Sequence, residues 1–244
     1  MQLDIWKLMT IVMAGVLVVY YTGPAITGLF TTDYFTNELT CADGKCVELF
    51  VMSYCPYGTQ AEKGIIPAVE LLGDSVDFHV RFVYYAMHGQ AELNEQLAQY
   101  CIQYEQRDKY LDYLTCFLDA GNSASCLTSA GINTNQLSTC VSRADTAFNV
   151  TNMYADQATW LSGRYPTFNP HLSLNDEYGI GGSPQLVVNG EVVQPASRSP
   201  QAYLDAICNA LPSQPSACSE QLSNTAYSAG FGYTDGASTS ASCG

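Results

Sequence analysis

The residues of this 244-residue chain best suited to chemistry are its ten cysteines, at positions 41, 46, 55, 101, 116, 126, 140, 208, 218 and 243. Cys55 has a setting the others lack. It follows the strand-like run "VELFVM", residues 47–52, and precedes a helical stretch whose opening residue is Pro56. A thiol at a helix N-terminus faces unsatisfied N–H groups and the positive end of the macrodipole, both of which favour the thiolate. Proline suits that position because its missing N–H has no partner there to lose. Three residues after Cys55 stands Gly58, so the segment Cys55-Pro56-Tyr57-Gly58 offers one sulfur nucleophile and no local second one. The plainer alternatives are that Cys55 is a buried core thiol or one half of a disulfide.

The other cysteines are spaced for disulfides rather than for a metal. Zinc sites are built from tight Cys-x-x-Cys or Cys/His pairs, and no such pair occurs. Cys41 with Cys46, Cys116 with Cys126 and Cys208 with Cys218 have the separations of local disulfide loops, and Cys101 with Cys140 would brace the helical block between them. The four cysteines of that block allow three connectivities; the nested one is expected because Cys116 and Cys126 flank a single turn. Cys55 and Cys243 are left over. So many disulfides imply an oxidising, extracytosolic compartment, and no metal or cofactor is expected.

Charge narrows the partners. The net charge is −14, with nine Lys and Arg against 23 Asp and Glu, which argues against nucleic acid and against a polybasic membrane patch. Residues 8–30, "LMTIVMAGVLVVYYTGPAITGLF", carry no charge and are long enough to cross a bilayer at about 1.5 Å per residue. A cleaved signal peptide is the alternative. Residues 1–30 are therefore expected to be a cytoplasmic end and a single transmembrane helix, with a linker over 31–43 and everything beyond it extracytosolic, at a cell surface, in a periplasm-like space or in a secretory lumen.

The elements that must position Cys55 follow in a regular order. Asp43-Gly44 signals a hairpin turn that Cys41 and Cys46 could clip. Residues 47–52 read as a strand, 60–72 as a helix kinked at Pro67, and 76–87 as a second strand. From 91 to 160 the pattern turns helical. Asn189-Gly190 between valine-rich arms marks a hairpin, and Ser199-Pro200 opens a last helix. Glu62 and Lys63, two turns into the first helix, are expected to be solvated. Residues 213–244 read as a segment clipped by Cys208–Cys218 and then a flexible Gly/Ser-rich tail. Such a coil would span roughly 25–30 Å, enough for Cys243 to reach Cys55 as a resolving thiol.

This α/β order, with an all-α insertion at 91–160, resembles the DsbA-type branch of the thioredoxin superfamily over roughly residues 44–212. A second likeness lies in "HGQAELNEQLAQYC": His88-Gly89, Glu92 and Cys101 keep the order of the signature of gamma-interferon-inducible lysosomal thiol reductases, which Ala86, Leu93 and Gln96 depart from. "YLDYLTCF", with Cys116, also resembles that family. The DsbA-type resemblance implies that Cys55 is the first active-site cysteine, that Gly58 stands where a second belongs, and that "GGSPQLVV" is the cis-proline loop. Ser183–Pro184 would then be cis, with Pro184 beside the thiol and the Ser183 backbone pairing with a bound peptide. His88 reads as a packing and hydrogen-bonding residue rather than a base. The expected function is a membrane-anchored thiol-disulfide oxidoreductase using one active-site cysteine on protein or peptide thiols and disulfides. The alternative is a redox-inactive thioredoxin-fold binding or structural protein in a surface assembly.

Overall fold

The computed structural model describes residues 40–236 and Phe35. The apolar stretch at 8–30 and Cys243 lie outside the described residues. Among the described residues no helix is long and apolar enough to cross a membrane.

The sheet is built around β1 (Cys46–Val51). Strand β2 (Asp77–Phe82) pairs parallel to it on one side, and β3 (Gln185–Val188) antiparallel on the other, followed by β4 (Glu191–Val193), in the order β2-β1-β3-β4. A central strand covered on both faces reads as a continuous apolar run rather than an alternating one, and every residue of β1 is buried. Its single acid, Glu48, is tolerated there because Arg81 Nε on β2 donates to its carboxylate at 2.7 Å. Helix α1 (Pro56–Leu72) links β1 to β2 and passes through Pro67. It begins at Pro56, a full turn before the Gln60 start read from periodicity.

The helical insertion comprises α2 (Gly89–Glu105), α3 (Tyr110–Ala120), α4 (Ser123–Ser129), α5 (Thr134–Phe148) and α6 (Val150–Ala155). Disulfides Cys101–Cys140 and Cys116–Cys126 staple it in the nested arrangement, and Cys41–Cys46 and Cys208–Cys218 close the two local loops. Helix α7 (Leu172–Tyr178) has no counterpart in the sequence reading. It shortens the second strand, expected over 76–87: the His171 ring accepts the Phe82 N–H, and the Asn175 side chain takes the Tyr84 N–H and donates to the Phe82 carbonyl. Beyond Phe82 the Val83 N–H still reaches the Val51 carbonyl, and the chain then pairs with residues 166–168 through Phe168 N–H on Tyr84 O and Ala86 N–H on Pro166 O. Helix α8 (Pro200–Ala210) opens with Ser199 Oγ accepting the Ala202 N–H.

Two sequence readings are corrected. Residues 41–45 form a turn without a hairpin arm, because the Ala42 N–H donates to the Asp77 carboxylate instead of to a strand. The segment read as flexible tail is folded as far as Gly236. It leaves Cys218, binds Gln201 through Leu222 and Ser223, and turns back on itself with Ser228 N–H on Thr234 O and Gly236 N–H on Ala226 O. Gly230 and Gly232 at the bend hold φ values of 80° and 94°, the region that glycine enters without steric cost.

Candidate active site

Cys55 is the N-cap of α1 and accepts the Thr59 N–H on its carbonyl. It stands outside the four disulfides and is 1% exposed. Its Sγ does not cap the helix; it points to the loop before β3 and lies 3.9 Å from the Ser183 carbonyl oxygen. The Ser183–Pro184 bond is cis. The Ser183 hydroxyl accepts the Met52 N–H at 2.9 Å, which ties the end of β1 to the same loop. Cys55, Pro56, Tyr57, Gly58, Ser183 and Pro184 therefore share one corner of the molecule.

Gly58 occupies its place for reasons of space. A Cβ there would lie 2.7 Å from Ser183 Oγ, 3.0 Å from the Met52 carbonyl oxygen and 3.3 Å from Cys55 Cβ. The serine hydroxyl, held by Met52, fills the room that a side chain at position 58 would need. A second cysteine three residues after Cys55 is absent from the sequence, and a side chain there would have to displace the Ser183 hydroxyl.

Glu92 is a residue of this corner to which sequence reasoning gave no role. It is fully buried in α2, and its carboxylate accepts the N–H groups of Tyr54, Met87 and His88 and meets His88 Nδ1 at 2.9 Å. The loop just before Cys55 is thereby bolted to the loop before α2. The reach back to the N–H of the helix N-cap is the signal the sequence held, four residues after His88 in place of the usual three. The hydrogen bond to Glu92 raises the His88 pKa against the opposing effect of burial, consistent with a positioning role for His88.

Glu62 and Lys63, expected to be solvated, are 1% and 0% exposed. The folded-back segment 226–236 meets Lys63. Lys63 Nζ donates to the carbonyls of Ser228, Gly230 and Gly232 at 2.7, 2.7 and 2.6 Å. Burial brings its pKa down to about 8, with Asp119 and Glu62 acting in the other direction, so it is largely an ammonium at neutral pH. The same segment meets α1 through the Gly230 N–H on Pro56 O and the Gln60 amide on Tyr227 O, and Phe231 packs edge-on against Tyr54 and Phe117. Neither Glu62 carboxylate oxygen has a hydrogen-bond partner. Burial, reinforced by Glu95, holds its pKa well above the ordinary carboxylate range.

Cys41, Asp77 and His79 bring possible metal-binding atoms within 4.8 Å of one another. Their bonds are otherwise committed. Cys41 is in a disulfide, Asp77 holds Arg107 at 2.8 Å, and burial brings the His79 pKa down to about 4. Arg107 Nη1 lies 3.2 Å from the ring Nδ1. The cluster is an ion-pair network pinning the start of β2.

No family model and no curated protein matches the chain. Among solved structures, oxidised DsbA from Mycobacterium tuberculosis is similar over 73% of this chain and 89% of its own, at 14% identity and a TM-score of 0.50. A DsbG disulfide oxidoreductase from the same organism covers 70% and 80% at 16% identity and a TM-score of 0.45. A thioredoxin-like oxidoreductase from Silicibacter pomeroyi covers 68% and 85% at 19% identity and a TM-score of 0.44. The likeness to gamma-interferon-inducible lysosomal thiol reductases is not confirmed by these comparisons. With a parallel β1–β2 unit, a helical insertion, an antiparallel β3–β4 hairpin and a cis-proline loop against Cys55, the chain has the mixed α/β thioredoxin-like fold of DsbA-type proteins.

Proposed function

We propose that the protein is a thiol-disulfide oxidoreductase that works through the single thiol of Cys55 on protein or peptide disulfides, outside the cytosol and anchored by residues 8–30. One observation carries the reading: the Cys55 sulfur faces the cis-proline loop while Ser183 occupies the space over Gly58. The Cys55 thiolate attacks one sulfur of a substrate disulfide, forms a mixed disulfide, and expels the other sulfur as a thiolate. With no second cysteine at position 58 the mixed disulfide persists. A second thiol of the substrate then attacks the substrate sulfur, makes a new disulfide there and returns Cys55 as thiolate, so the cycle is redox-neutral and suits isomerisation. In the other branch Cys243 attacks Cys55 Sγ, forms a Cys55–Cys243 disulfide and releases the substrate as a thiol, reducing it by two electrons. The oxidising compartment and the anchor are inferred from the cysteine content and from the apolar sequence of 8–30.

The 1% exposure of Cys55 favours a second reading, in which the thiol is inert and the domain binds peptide or serves a surface assembly. One experiment separates the two. The full chain and its Cys55→Ser variant are treated under native conditions with a small aromatic disulfide, and adducts are read by mass spectrometry. Capture at Cys55 without denaturant is expected, and Cys243→Ser is expected to lengthen the adduct's lifetime if the tail resolves it. Capture only after unfolding would overturn the enzymatic reading in favour of the binding one.

A further inference from the structure

A groove of about 400 Å³ runs from the cis-proline loop towards the loop after β4, and its walls include Gln60, Pro184, Gln185, Tyr203 and Ala226. Arg198 is its one charged residue, and no Asp or Glu lines it. In a chain with net charge −14 such a lining stands apart. Arg81, Arg107 and Arg143 each hold a carboxylate. Arg198 is paired with none among the described residues; its guanidinium lies 5.1 Å over the Tyr57 ring, and Nη1 reaches Gln60 Oε1 at 3.4 Å.

The position is built rather than incidental. A Cβ on Gly64 would overlap the Arg198 carbonyl oxygen and press on the Tyr203 ring, so the absence of a side chain on α1 lets the backbone at 198 seat directly on the helix. Ser199, the next residue, caps α8. The Arg198 guanidinium lies over Tyr57, two residues after Cys55 in the chain, in the groove whose other end is Pro184, next to the Ser183 carbonyl that the Cys55 sulfur faces, and a planar guanidinium so held is suited to a carboxylate.

We propose that Arg198 makes this groove a carboxylate-binding subsite, selecting thiols and disulfides that carry a carboxylate near the reacting sulfur. The proposal deepens the oxidoreductase reading and rests on it for the chemistry, but the binding itself does not require a reactive Cys55. Two sources fit the same chemistry: an acidic side chain beside a cysteine in a polypeptide, and the carboxylates of a small peptide thiol such as glutathione.

The test compares full-chain protein with Arg198→Gln. The rate of Cys55 capture is measured with oxidised glutathione and its neutral ester, and with a peptide disulfide bearing Glu or Gln beside the cysteine. The charged-over-neutral ratio is expected to be about tenfold, the size of one charge-assisted hydrogen bond, and to fall to about one in the variant. A ratio near one in the parent, or an equal ratio in both proteins, overturns the proposal. Calorimetry on Cys55→Ser with S-methylglutathione and with the Glu peptide in which S-methylcysteine replaces cysteine keeps the question open to refutation if Cys55 proves inert. Saturable binding that Arg198→Gln abolishes supports the subsite even as the oxidoreductase reading fails, and no binding of either ligand overturns it. Whichever ligand binds identifies the source.

Discussion

Replacing Glu62 by Met should stabilise the protein, and more so as the pH rises. Both carboxylate oxygens lack partners and the side chain is 1% exposed, so the substitution removes no hydrogen bond and nearly conserves volume. Burying a neutral polar group without a partner costs about 1–3 kcal/mol, which sets the expected gain at pH 4, where the carboxyl is largely protonated in both states. Above the unfolded pKa of about 4.3 the unfolded chain releases this proton while the folded protein, whose Glu62 pKa is raised, retains it. Raising the pH through that window therefore draws the equilibrium towards the unfolded chain by up to about 1.4 kcal/mol per pH unit. The methionine of the variant cannot titrate, so the gap between the two proteins should widen by that slope. Glu95, whose pKa burial also raises, and Lys63 are present in both proteins and largely cancel in the difference. Urea unfolding of both at pH 4, 5.5 and 7 reads the gap directly. A variant less stable than the parent at pH 7, or a gap independent of pH, would refute the claim that Glu62 is a buried, unpartnered acid.

Two further outcomes test the site's architecture. Lys63→Met leaves three part-buried carbonyls without their donor; it should cost about 1–3 kcal/mol and make residues 219–236 sensitive to limited proteolysis, whereas unchanged resistance would mean that the segment is held by other contacts. Gly58→Ala should destabilise by about 1–3 kcal/mol through the contact with Ser183 Oγ, and by clearly less in a Ser183→Ala background; additive effects in the double-mutant cycle would dismiss Ser183 as the group that closes the position.

Much of the fold was legible because its signals are local. Asn189-Gly190 adopts φ values of 49° and 83°, the left-handed pair that such a dipeptide enters at little cost, and so joins β3 to β4 as the sequence predicts. Cysteine separations of 10 between Cys116 and Cys126 and between Cys208 and Cys218 are short enough to suggest pairing from chain length alone. The single-thiol segment Cys55-Pro56-Tyr57-Gly58 is likewise visible residue by residue. What the sequence could not show are contacts between distant segments whose types look ordinary in isolation. Lys63 meets Ser228 across 165 positions; a lysine on a helix and a Gly/Ser-rich run each read as solvated until packing brings the ammonium and the bent carbonyls together. Gly58 looks like a lost cysteine by sequence, and only the approach of Ser183 reveals that a side chain there would press on the serine hydroxyl. Arg198 was one of nine basic residues, singled out by the tertiary structure alone, because its meaning lies in the acid it lacks, the ring it stacks on and the glycine that lets its backbone reach α1.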